Sequence, residues 1–191
     1  MATLQQILHS KAFPCPAILL QPVEYHEAIF TTNEYVDIGA QKDAHDPAIR
    51  RTSAQGFAQL IDLLKPYISS SGVKEVDIYR LETIYPAPHN PNTDFSRNAE
   101  DAGWIDEIAL RSKNVINSIS KNVILGHCDW SMKNMRFIDN RIVKVYDWDS
   151  IILQDEYHML ATAASTFPMT WDIPVQIVPS QEEAYEFIKE Y

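Results

Sequence analysis

The chain has 191 residues with 16 Lys and Arg against 26 Asp and Glu, a formal net charge of −10. That balance argues against a general phosphate-backbone binder, because nucleic-acid affinity comes largely from Lys and Arg. An acidic balance suits a cationic substrate such as an aminosugar or a choline-like amine, and it is equally that of a plain cytosolic protein.

Two cysteines, Cys15 and Cys128, offer neither a disulfide framework nor a zinc-type cluster. No basic stretch followed by an apolar core opens the chain, and no apolar run approaches membrane-spanning length. A reducing, cytoplasmic location without membrane attachment is expected. The length suffices for a proper core and for one domain, or one and a fraction.

Leu4, Ile7 and Leu8 fall at helical spacing, so the first residues read as the end of a helix that Pro14 and Pro16 stop. Ala17 to Leu20 and His26 to Thr32 read as strands, the second running toward Gly39. Asp46-Pro47 starts a helix: the aspartate caps free N–H groups and proline fits the first turn. Ile49, Phe57, Leu60, Ile61 and Leu64 mark its core face, with a stop near Pro66 or at Ser69–Gly72.

Val76 to Tyr85 is ambiguous, and Pro86, Pro88 and Pro91 make a loop in which His89 is solvated. A long helix is expected from Asn98 to about Ile119. Trp104, Ile105, Ile108, Ala109, Val115 and Ile116 form its buried side, and Glu100-Asp101 complement its dipole.

Val123 to Leu125 reads as a buried strand. Met135–Ile138 and Ile142–Val145 pair across Asp139-Asn140, a turn pair tolerant of positive φ. Asp155 to Ser165 is a helix, and its early Asp155, Glu156 and His158 are explained by the helix dipole rather than by a metal. Trp171 and the surrounding prolines are irregular. Ser180-Gln181-Glu182-Glu183 is a capping box, opening a helix whose Ala184, Phe187, Ile188 and Tyr191 run to the last residue.

The chemistry-bearing stretch is Gly126-His127-Cys128-Asp129-Trp130-Ser131-Met132-Lys133-Asn134, followed after a hairpin by Tyr146-Asp147-Trp148-Asp149. An aspartate, an asparagine five positions later and a second aspartate beyond two strands are what phosphoryl transfer needs. One carboxylate, Asp129, takes or orients the proton of the attacking hydroxyl. The amide of Asn134 and the carboxylate of Asp147 hold Mg²⁺ against nucleotide phosphates. His-x-Asp-x-x-x-x-Asn is also the spacing of a kinase catalytic loop. Asp, Asn and His cap turns in many loops, so the spacing gains its meaning from the strands around it. A lone Asp-x-Asp metal site of a nucleotide-sugar transferase is the other reading, and it leaves the upstream loop unexplained.

These residues resemble the catalytic loop and Asp-Trp-Asp signature of the aminoglycoside phosphotransferase and choline kinase-like family. Cys128 stands where that family usually has glycine, and Ser131-Met132-Lys133 replaces a His-Pro-Gly-like run. Weaker resemblance extends from about Leu4 to the C-terminus.

The resemblance implies an α+β, protein-kinase-like fold, apparently truncated. Residues 1–39 would be a small-lobe remnant and hinge, and residues 40–191 a C-terminally incomplete large lobe. It implies transfer of the γ-phosphate of ATP or GTP, with Mg²⁺, to a hydroxyl of a small molecule such as an aminoglycoside, amino alcohol or sugar. Asp129 would be the base, and His127 and Asp149 would support the loops. The backbones near Asn33 and Tyr35 would meet the nucleotide base; an edge strand turning at Gly39 explains the same residues. The five glycines supply no Gly-rich loop, and no small-lobe lysine precedes Leu4. The competing expectation is therefore a non-catalytic pseudokinase that associates, including with itself, through the face a small lobe would cover.

Overall fold

The computed structural model describes residues 2–76, 83–85 and 103–191. The proline loop with His89, most of the ambiguous stretch and the expected helix start at Asn98 lie outside the described residues. In chain order the first elements are α1 (Ala2–Ser10), β1 (Ile18–Tyr25), β2 (Ala28–Asn33), α2 (Pro47–Leu64) and α3 (Gly103–Ser118). They are followed by β3 (Val123–His127), β4 (Met135–Ile138), β5 (Arg141–Val145), β6 (Ile151–Asp155), α4 (Glu156–Thr166) and α5 (Gln181–Glu190). The chain divides into two compact units, one of Met1–Lys74 with Val123–Tyr191 and one of Glu75–Asn122.

The larger unit is organised on α2. Asp46 caps it by accepting from the Ala48 N–H at 2.7 Å, with Pro47 in the first turn. Its face of Ile49, Ala54, Phe57, Leu60 and Leu64 is buried, and the core continues through Leu125, Trp130, Met135, Phe137 and Phe187. The α5 capping box forms as the sequence requires. The Glu183 N–H donates to Ser180 Oγ at 3.2 Å, and the Ser180 N–H to Glu183 Oε2 at 2.8 Å. Phe187 then stacks on Phe167 with ring centres 5.0 Å apart.

Among the described residues three two-stranded antiparallel sheets join these helices, an α+β architecture as expected. β4 and β5 turn at Asp139-Asn140, with Ile138 opposite Arg141 and Asp139 at φ 52°. β1 and β2 turn through His26 and Glu27, both at positive φ. β3 pairs with β6 from Val123↔Asp155 to His127↔Ile151.

The strand β6 was not expected. Its apolar Ile151-Ile152-Leu153 abuts Asp155, the cap of α4, which accepts from the Tyr157 N–H at 3.0 Å, so strand and helix meet without a linker. Gly39, at φ 72°, holds the chain against β4: Ala40 exchanges backbone hydrogen bonds with Phe137 at 2.8 and 2.9 Å.

In the smaller unit the helix α3 differs from its expected packing. None of its residues is buried, and Trp104 is 62% exposed and Val115 57%. An apolar stripe makes a helix amphipathic, but burial needs a partner. Among the described residues of this unit, only short pieces accompany the helix. No helix among the described residues is long and apolar enough to cross a membrane.

Candidate active site

The pairing of β3 with β6 fixes two loop ends side by side. His127 ends β3 opposite Ile151, which begins β6, so residues 128–134 and 146–150 leave the sheet at the same edge. The Cys128 N–H donates to the Ser150 carbonyl at 2.9 Å, tying the two loops at their roots. Trp130 is fully buried, donates from Nε1 to the Ser53 carbonyl at 3.1 Å, and packs on Phe57 of α2. The N–H groups of Met132 and Lys133 donate to the carbonyls of Phe167 at 3.0 Å and Met169 at 2.9 Å. Short-range turn geometry and long-range anchors together give the loop one shape.

His127 links the two loops directly. Its Nδ1 accepts from the Asp129 N–H at 3.2 Å, and Nε2 therefore carries the proton donated to the Tyr146 carbonyl at 3.0 Å. The ring lies edge-on between Trp130 and Trp148, each with its centre 6.0 Å away. Burial pushes its pKa below the ordinary histidine value, outweighing the Tyr146 carbonyl and the nearby Asp147, Asp129 and Asp149. It is a neutral, two-sided latch.

Asn134 and Asp147 are brought together by backbone. The Tyr146 N–H donates to the Asn134 carbonyl at 2.8 Å, placing Asp147 one residue beyond that bond. Asn134 donates from Nδ2 to the Asp129 carbonyl at 2.9 Å, and its amide oxygen is an acceptor not used in that bond. Asp147 has φ 65° and ψ 47°, a left-handed conformation rare outside glycine. Ser150 holds it there, donating from Oγ to Asp147 Oδ2 at 2.7 Å and from N–H to the Asp147 carbonyl at 3.0 Å.

Asp129 is engaged at both oxygens. Ser131 Oγ donates to Oδ1 at 3.2 Å, and Lys133 Nζ lies 2.7 Å from Oδ2. The sequence reading passed over Lys133 and Ser131. The four-residue spacing alone is a weak signal, because a loop lysine is ordinarily solvated; the folded turn returns its side chain to Asp129.

A cleft of about 670 Å³ opens beside Asp147, lined by Gln5 of α1, by Ile29, Thr31 and Asn33 along one face of β2, and by Tyr146–Asp149. Asn33 and Asp147 thus share a cavity, with Asn33 Oδ1 accepting from Gln5 Nε2 at 3.0 Å. Tyr35 does not line that cleft: it is 88% exposed beyond the end of β2. Among the described residues no group of three or more His, Cys, Asp or Glu forms a cluster able to hold a metal.

No protein-family profile and no curated protein matches this chain. A solved structure of an amicoumacin kinase, in complex with AMP-PNP, Ca²⁺ and Ami, is similar with a TM-score of 0.57 and 8% sequence identity. The similarity covers 99% of this chain and 58% of that one, so the chain spans less than two thirds of its neighbour's length. At this identity the likeness is one of fold, and the chain has a kinase-like α+β fold.

Proposed function

We propose that the chain is a kinase-like phosphotransferase core that directs the γ-phosphate of ATP or GTP to a hydroxyl of a small molecule. The observation that carries this reading is the backbone joint at Tyr146. Its N–H is bonded to Asn134 and its carbonyl to His127, so Asp129, Asn134 and Asp147 hang from one rigid frame.

The donor set suits Mg²⁺. The Asn134 amide oxygen and the Asp147 carboxylate are hard oxygen donors, and Mg²⁺ typically takes one or two protein ligands and completes its shell with water and phosphate. When bound, the ion would neutralise charge on the transferred phosphoryl group. The chain's own residues do the rest. Asp129 accepts or orients the proton of the attacking hydroxyl, Ser131 and Lys133 fix its carboxylate, and neutral His127 keeps both loops in register. Residues 1–39 serve in this reading as hinge and small-lobe remnant, with Asn33 on the nucleotide side, and residues 40–191 as the large lobe.

Mg²⁺ with nucleotide is expected to bind weakly, and Asp147→Ala to abolish the metal-dependent part in calorimetry. Equal binding by both proteins would reject the assignment. Turnover by these 191 residues is expected near background, because they hold no Gly-rich loop or small-lobe lysine to orient the γ-phosphate. Each preorganised donor is worth roughly 10²–10³ in rate. Turnover clearly above an Asp129→Ala control would overturn that expectation.

The second reading, a non-catalytic association module, is favoured by the β1–β2 hairpin. Leu19, Leu20, Val23, Ile29 and Phe30 on it are each 57–73% exposed, an apolar surface suited to self-association. Concentration-independent sedimentation as a monomer would exclude it.

A further inference from the structure

We infer that Lys133 sets the charge of the acceptor: the hydroxyl that meets Asp129 belongs to an uncharged, polyol-like part of the substrate, and ammonium-bearing acceptors are refused. This rests on the phosphotransferase reading and narrows it.

The ammonium of Lys133 already occupies the place an ammonium of the substrate would take, 2.7 Å from Asp129 Oδ2. The two side chains are only 25% and 29% exposed, so water and salt screen the pair less than one on an open surface. The backbone from which the Lys133 side chain springs is anchored. Its N–H is bonded to Met169, its carbonyl accepts from Gln41 Nε2 at 3.3 Å, and Gln41 is itself bonded to Thr170. Arg136, the next cation along β4, sits 3.6 Å from Asp172 and over the Tyr146 ring, so the carboxylate nearest it is also matched.

An amine approaching Asp129 therefore finds that carboxylate already paired and meets a like charge beside it. A neutral hydroxyl needs only a lone pair, and a carboxylate holding two donors still has lone pairs to accept a third. A repulsive element of this kind is how binding sites discriminate between partners that fit equally well. The net charge of −10 acts at long range, but beyond about 8 Å it is screened by salt, and contact charges decide.

The test is calorimetric titration of the chain, in Mg²⁺ and AMP-PNP, with choline and with kanamycin, two ammonium-bearing alcohols. Lys133→Glu is expected to bind them at least about tenfold more tightly than wild type, as follows from replacing a like charge in contact with an opposite one. Asp129→Asn in that background should remove the gain. Lys133→Gln, of similar length and uncharged, gives the same direction if the Glu variant does not fold. The inference is overturned if wild type binds either amine as tightly as the variants, or if the gain survives loss of Asp129. Loss of nucleotide binding on Asp147→Ala reports on the phosphotransferase reading by itself, so the two failures are separable.

Discussion

Replacing His127 by alanine removes both partners of the latch at once. The Asp129 N–H and the Tyr146 carbonyl are left unbonded beside a side chain that is 1% exposed, with little room for water to replace it. Each unsatisfied buried group costs about 1–3 kcal/mol, so the variant should lose about 2–6 kcal/mol before any contribution from the space left between the two tryptophans. For a protein of this size that is a fall of roughly 5–20 °C in Tm.

The two halves can be separated. Asn reaches the position of Nδ1 and can accept from Asp129, while Gln reaches the position of Nε2 and can donate to Tyr146. Each should recover about half of the loss. Urea unfolding followed by tryptophan fluorescence suits the measurement, since Trp130 and Trp148 flank the ring. A His127→Ala loss under about 1 kcal/mol, or Asn and Gln variants no better than Ala, would refute the latch.

The pH dependence follows the same geometry. Burial holds the folded pKa of His127 below its unfolded value near 6.5. The unfolded chain therefore takes up the proton first as pH falls, and stability contributed by neutral His127 is lost below that value.

His45 should show the opposite sign. Both of its ring nitrogens face acceptors, Glu183 Oε1 at 2.7 Å and the Gln176 carbonyl at 2.8 Å. Partial burial opposes the charge, but these bonds and the nearby Glu183 and Asp43 raise its pKa, even with the Arg50 guanidinium bonded to its carbonyl. Its contribution is fully present below about 6.5 and is lost as pH rises through the raised value, so His45→Gln should flatten Tm against pH on that side; an unchanged slope would dismiss the pair. Gly39→Ala should destabilise more than Gly72→Ala, compared by thermal unfolding. Both glycines have positive φ, which costs an alanine about 1–2 kcal/mol, but only at Gly39 would the new methyl meet Phe137 O at 2.7 Å and Val143 Cγ2 at 2.9 Å.

Local chemistry made much of this architecture legible in the sequence. Asp46-Pro47, Asp139-Asn140 and the Ser180–Glu183 box each impose a cap or turn through their own side chains, and each forms where its residues stand. The hairpin between Asn134 and Asp147 is likewise a short-range consequence of two apolar runs and a tight turn, and it brings the two residues to one edge. What was not legible depends on residues far away in the chain. β6 exists because β3 lies alongside to pair with it, and the exposure of Tyr35 reflects where β2 ends. The apolar stripe of α3 looked like a core face because amphipathicity says which side would be buried, not whether anything buries it. Lys133 was hidden for another reason: a lysine in a loop is ordinarily solvated, and only the fold of the turn returns it to Asp129.

The larger unit is assembled from the two ends of the chain, and that arrangement bears on how it is made. α2 near the start takes partners from α5 at the close: Arg51 pairs with Glu190 at 2.9 Å, Arg50 with Glu186, and Phe57 packs on Tyr191 with ring centres 5.7 Å apart. During synthesis the apolar side of α2 emerges long before these residues exist, and the intervening unit from Glu75 to Asn122 is made in between. Contacts of such sequence separation are slow to form, because the connecting chain must first be ordered or closed into a loop. Nascent chains of this protein should therefore remain protease-sensitive and in need of chaperone cover until α5 has left the ribosome.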